Sequence, residues 1–133
     1  PYVDGYALRD KLLSLGLEGI AFRPTMFEPT FHKFKEQSCG GIQLHVTHRD
    51  DFDSYKTGLA VIWATKQLWP NDFKWRDGVY EFRDDEPAID LLTGFAEVRV
   101  AIDNGESFDT VLKHALQGTE LYDSGREAAL IYD

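Results

Sequence analysis

The chain has 133 residues, 43% of them hydrophobic and 28% charged, with a formal net charge of −9. That length predicts one domain with a real core. The acidic balance argues against nonspecific nucleic-acid or anionic-membrane binding, both of which need clustered Lys and Arg. Cys39 is the sole cysteine, so an intramolecular disulfide and multi-cysteine zinc sites are excluded. No apolar run reaches membrane-span length. The sequence opens at Pro1 without an initiator Met or a signal-peptide pattern, as expected of a piece of a longer protein.

Asp4 is placed to cap a helix over about 5–15, where Leu8, Leu12 and Leu15 form one apolar face and Gly16 stands at the C-terminal end. Residues 19–26 read as a strand, with Pro24 marking an edge or an end. A long irregular stretch over 27–41 follows, a length that tends to be functional when ordered. Gly40-Gly41 closes it. In the next strand Ile42, Leu44 and Val46 share one face, expected to be core, and Gln43, His45 and Thr47 share the other.

Asp53 and Ser54 are placed to cap a helix over about 55–68. It is apolar nearly all round, and Pro70 ends it. Residues 71–86 form a connection with a turn expected at Asp77-Gly78. Pro87 fits the start of a short helix over 87–93, Gly94 breaks it, and a second helix runs to about Ile102. Asn104-Gly105 reads as a turn, and Ser107 caps a final helix carrying Phe108, Val111, Leu112, Ala115 and Leu116. Gly118 and Gly125 speak against its continuation, and Ala129 to Tyr132 reads as a short strand or extended tail. The fold class is α+β: a small, mostly antiparallel sheet packed with several helices in a single compact domain.

Charge is unevenly spread. From Phe22 to Arg49 the chain carries four bases against two acids, net +2, and three of its four histidines; the remainder has ten bases and 21 acids. Within this segment Lys33, Lys35 and Arg23 suit a carboxylate through charge-assisted hydrogen bonds, against the plainer reading of a solvated loop. Gln43 and His45 could form a polar cleft wall or ordinary surface. Phe27, Phe31, Phe34, Trp69 and Trp75 could stack on sugar faces, although most aromatics are core. Glu28 and Glu36 could be paired carboxylates of a glycosidase, but nothing in the sequence sets them face to face. Cys39 with His45 could suggest a thiol nucleophile; a buried thiol beside Gly-Gly is the simpler account. On a strand the spacing of His45 and His48 points them to opposite faces, poor geometry for chelating one metal; a His48 beyond the strand's end would leave such a site open, but no metal or cofactor is expected.

The run Phe22-Arg-Pro-Thr-Met-Phe-Glu-Pro-Thr-Phe-His-Lys-Phe34, then Cys39-Gly-Gly-Ile-Gln-Leu-His-Val-Thr47, resembles the hallmark of the C-terminal domain of NamZ-like exo-β-N-acetylmuramidases. Thr57-Gly58-Leu59, Leu68-Trp69-Pro70, Phe73 with Trp75, Asp90-Leu-Leu-Thr-Gly94, and Arg99 with Ile102 ahead of Gly105 extend the likeness over essentially the whole chain. The resemblance implies a two-domain bacterial glycosidase of cell-wall turnover, active in the cell envelope, periplasm or outside the cell. A Rossmann-like N-terminal domain, absent from residues 1–133, would carry the catalytic glutamates and be this domain's partner. The implied reaction releases terminal N-acetylmuramic acid from the non-reducing end of peptidoglycan fragments. No catalytic residue is then expected in this chain. Lys33, Gln43, His45 and Arg23 are the candidate substrate-binding residues, because muramic acid carries an anionic lactyl ether. The alternative is a noncatalytic carbohydrate-binding or domain-docking module.

Overall fold

A computed structural model describes residues 1–131, apart from the side chains of residues 120, 121 and 124. It contains six helices and one two-stranded antiparallel sheet, an α+β fold as expected. The chain divides into two compact units, Pro1–Lys74 and Trp75–Asp133.

In the first unit, α1 spans Gly5–Leu13, β1 Ile20–Phe27, β2 Cys39–Val46 and α2 Ser54–Leu68. The Asp4 carboxylate caps α1 by accepting from the backbone N–H groups of Tyr6 at 2.8 Å and Ala7 at 3.2 Å. The Asp53 carboxylate caps α2 by accepting from Lys56 N–H at 2.9 Å. Leu8 and Leu12 of α1 are buried, as are Leu59 and Trp63 of α2. Lys11 of α1 holds its ammonium 4.6 Å from the Trp63 ring centroid, where the ring's negative face attracts it. α2 buries a stripe rather than its whole girth, since Tyr55 and Gly58 are exposed.

Residues facing one another across the hairpin include Phe22 with Leu44, Arg23 with Gln43 and Ala21 with His45. The expectation of a core face is met on β1, where Phe22 is 8% exposed, but not on β2, where Leu44 and Val46 are 45% and 48% exposed. The covering helix α1 lies more over β1 than over β2. Pro24 is tolerated in β1 because both strands of a two-stranded sheet are edges.

The loop end of the hairpin is fixed by backbone meeting backbone. A Cβ on Gly5 would run into the Gly41 carbonyl oxygen, and one on Gly40 into that of Val3. Glycine is therefore required on both sides of this contact.

In the second unit, α3 spans Ala88–Thr93, α4 Ala96–Asp103, α5 Phe108–Ala115 and α6 Thr119–Ala129. The core of this unit includes Val98, Ile102, Phe108 and Val111. Pro87 occupies the N-cap of α3, Gly94 ends it in a left-handed conformation, and the Ser107 hydroxyl caps α5. Two features depart in part from expectation. The chain bends at Gly78, φ 86°, as expected, but a second turn follows at Glu81-Phe82, bracketed by reciprocal backbone bonds between Tyr80 and Arg83. Helix α6 forms despite Gly118 and Gly125: Gly118 makes the break at φ 80° and the helix restarts after it, while Gly125 is an ordinary helical position. The expected extended tail begins only at Leu130, and Tyr132 lies outside the described residues. Among the described residues no helix is long and apolar enough to cross a membrane.

Two substitutions test the packing at these glycines with opposite signs. Gly5→Ala should destabilise the protein by about 1–3 kcal/mol through overpacking, although alanine is the better helix former. Gly58→Ala, where an added Cβ meets nothing within 4 Å, should stabilise it by about 0.5–1 kcal/mol. Urea unfolding midpoints measure both.

Candidate functional site

Between β1 and β2 the chain makes an excursion over 28–38, exposed at every residue except Pro29. Glu36 N–H donates to Pro29 O at 2.9 Å and Gln37 N–H to Phe34 O at 3.1 Å. Three non-glycine residues, His32, Phe34 and Glu36, adopt left-handed φ near 60°. Such conformations cost free energy and persist where the surroundings impose them, often at ligand-facing segments.

This excursion supplies one wall of a concavity of about 380 Å³. Lys33 and Phe34 line it together with Tyr2, Asn71, Asp72 and Lys74. The Lys33 ammonium lies 5.4 Å from the Phe34 ring centroid, and no carboxylate pairs with it among the described residues. Its neighbour Lys35 is instead engaged by Glu36 at 3.1 Å. Tyr2 packs its ring against Trp69, with centroids 6.2 Å apart. Partial burial, and secondarily the charge of Asp72, raise the Tyr2 hydroxyl pKa above its ordinary value, so it stays a neutral donor. Two ammonium groups, one carboxylate, an amide and two aromatic rings suit a small anionic molecule with an apolar face.

The other candidates lie elsewhere. Arg23, Gln43 and His45 share the exposed outer face of the hairpin, Arg23 directly opposite Gln43. That face is outside the lining of the Lys33 concavity. The structure thus unites three of the four predicted residues and places Lys33 with a different set. Tyr2, Asn71, Asp72 and Lys74 carried no local sequence signal, since their role depends on three separated segments meeting. The break of α2 at Pro70 was the only hint that 71–74 turns aside.

The catalytic alternatives find no support in the geometry. Cys39 is buried and donates to Gln37 O at 3.4 Å. It sits opposite Phe27, six residues along the strand from His45 and so about 20 Å away, too far for a thiol–imidazole pair. Among the described residues Asp72 is the single carboxylate lining the concavity, whereas hydrolysis of a glycoside needs two. Among the described residues no group of three or more His, Cys, Asp or Glu could hold a metal.

The second unit contains a concavity of about 360 Å³ with the opposite character, bordered by Asp77, Asp84, Asp85 and Glu86 against Arg76 and Arg99. Arg83 donates to both oxygens of Asp85 at 2.8 and 2.9 Å, which holds the Asp85 carboxyl below its usual range. Several motif residues prove structural in this unit. The Asp90 carboxylate, on α3, is buried and receives a two-pronged bond from Arg99 of α4 at 2.8 and 2.9 Å. That bond is the main reason the guanidinium pKa is raised. Arg99 also approaches Asp103 at 3.9 Å, and Asp103 accepts from the Trp75 indole N–H at 3.0 Å. Asp90, Arg99, Asp103 and Trp75 thus tie α3, α4 and the segment before them into one network.

An α+β domain with a hairpin excursion forming a lysine-bearing concavity is the class these features define. Residues 1–132 match the family model described as Exo-beta-N-acetylmuramidase NamZ, C-terminal, and the chain belongs to that family. It is 34% identical over 132 residues to the peptidoglycan beta-N-acetylmuramidase NamZ of Bacillus subtilis (strain 168), covering 99% of this chain and 30% of that protein. A crystal structure of a DUF1343 family protein from Bacteroides fragilis shares the fold, with a TM-score of 0.76 at 20% identity over 99% of this chain and 34% of the other. The chain therefore spans about a third of the length of these relatives.

Arg99→Ala removes the partner of a buried carboxylate and should cost about 2–3 kcal/mol in urea unfolding. Arg99→Lys should recover only part of this, because an ammonium cannot reproduce the planar two-pronged bond.

Proposed function

We propose that this chain is the cleft-forming C-terminal domain of an exo-β-N-acetylmuramidase. The parent enzyme would hydrolyse terminal N-acetylmuramic acid from the non-reducing end of peptidoglycan fragments, in cell-wall turnover or recycling within the cell envelope, the periplasm or outside the cell. Family membership supports the glycosidase class. The observation that carries this domain's role is the Lys33 concavity, where cations and aromatic rings meet beside an exposed loop. Muramic acid differs from N-acetylglucosamine by a lactyl carboxylate, which is the group an unpaired lysine selects. Phe34 and Tyr2 offer apolar surface to a sugar face. Arg23, Gln43 and His45 would extend the polar surface toward the rest of the saccharide.

Bond breaking falls to a Rossmann-like N-terminal domain of the same polypeptide. A pair of carboxyl groups at a set separation is the requirement for acid and base or nucleophile roles, and among the described residues the Lys33 concavity offers only Asp72. No cofactor is required for such a hydrolysis. A noncatalytic carbohydrate-binding or domain-docking module remains the competing reading, and the two differ in what Lys33 does to turnover.

In the full-length enzyme Lys33→Ala should lower kcat/KM on a muramic-acid substrate by about tenfold, corresponding to about 1.4 kcal/mol of transition-state binding. The matching glucosamine substrate, lacking the lactyl group, should be unaffected. An unchanged ratio between the two substrates removes Lys33 from the site. The isolated chain should show no turnover, and hydrolysis by it would overturn the assignment of the chemistry to the other domain.

A further inference from the structure

We infer that the uncovered half of the hairpin's apolar face, at Leu44 and Val46, is the seat on which the remainder of the polypeptide packs. The inference rests on the reading that this domain is one part of a longer enzyme, and it adds the surface by which the parts are joined.

The alternation of β1 and β2 puts Ile20 and Phe22 on the same face as Val46 and Leu44, in directly opposed pairs. Opposed residues on one face normally share one environment. Here they do not: Phe22 is 8% exposed and Leu44 45%, Ile20 is half-buried and Val46 48% exposed. The cause is the position of α1, which covers β1 more than β2. A second layer placed beside α1 would complete the cover. Among the described residues no further strand pairs with the outer edge of β2, which has no proline, whereas β1 carries Pro24. An exposed apolar edge strand is a feature proteins ordinarily shield.

Two observations select the occupant. The chain spans only 30% of the relative it matches, and the matching family is defined as the C-terminal part, so most of the relative's length lies outside what is folded here. A second copy is disfavoured by charge, since each carries a net −9. A covalently attached domain needs no such encounter and acts at high effective concentration.

The test is carbene footprinting of the full-length protein. Leu116, 46% exposed in this domain, is a matched reference for Leu44 at 45%. Leu44 and Val46 should be labelled about fivefold less than Leu116, as expected for residues packed in an interface core, and the protection should survive dilution. Equal labelling of Leu44 and Leu116 overturns the inference. Protection that vanishes on dilution assigns the face to a second copy and also overturns it. The outcome is independent of the muramidase assay: an enzyme with another substrate would still protect Leu44, and a muramidase joined through a different face would not.

Discussion

The contact on which the candidate site depends is the approach of one backbone to another at the loop end of the hairpin. Val3 lies against Gly40 and Gly5 against Gly41, with no room for a side chain at Gly5 or Gly40. This seats the start of α1 on the sheet. It also brings Tyr2, one residue before Val3, to the wall that Lys33 and Phe34 form from the other side of the hairpin loop. The glycine pair after Cys39 thus acts at a distance. It carries no chemistry, but it sets where an aromatic hydroxyl stands relative to an ammonium group.

The Lys33 concavity and that of the second unit differ in the sign of their charge. The first unit holds one with Lys33 and Lys74 against Asp72; the second holds one with four carboxylates against two guanidinium groups. Coulomb interactions at protein surfaces are modest for any single pair, but their sign over a concave wall decides which ions are enriched there. An anionic sugar would be drawn to the first and repelled from the second. The local surplus of bases between Phe22 and Arg49 therefore has a spatial counterpart in only one of its members. Lys33 reaches the concavity, Lys35 is engaged by Glu36, and Arg23 stands on the open sheet face.

Motif residues that look alike in a sequence separate into different physical kinds once folded. Asp90 and Arg99 form a buried, two-pronged pair between helices, and Trp75 with Asp103 extends it. Thr57 is 2% exposed within α2. The Asp90–Arg99 pair joins the short helices α3 and α4, and its planar geometry fixes how they meet. The hairpin excursion is the contrary case: exposed, with three non-glycine residues in left-handed conformation, and with Lys33 and Phe34 lining a concavity.

Much of the fold was legible in the order of residues alone. Caps at Asp4, Asp53 and Ser107, the apolar spacing of Leu8 and Leu12, and the alternation of Ile42, Leu44 and Val46 all rest on interactions within a few positions, so local sequence determined them. The charged excursion and the family likeness were equally visible. Tertiary structure alone decided that Leu44 stays half open while Phe22 opposite is buried, that a second turn at Glu81-Phe82 follows the bend at Gly78, and that α6 resumes beyond Gly118. It alone joined Lys33 to Tyr2 and to the stretch 71–74. Alternation tells which residues share a face but not what covers it, and a concavity built from three distant segments has no signature in any one of them. Both depend on where separate elements come to rest, which is set by packing across the whole unit.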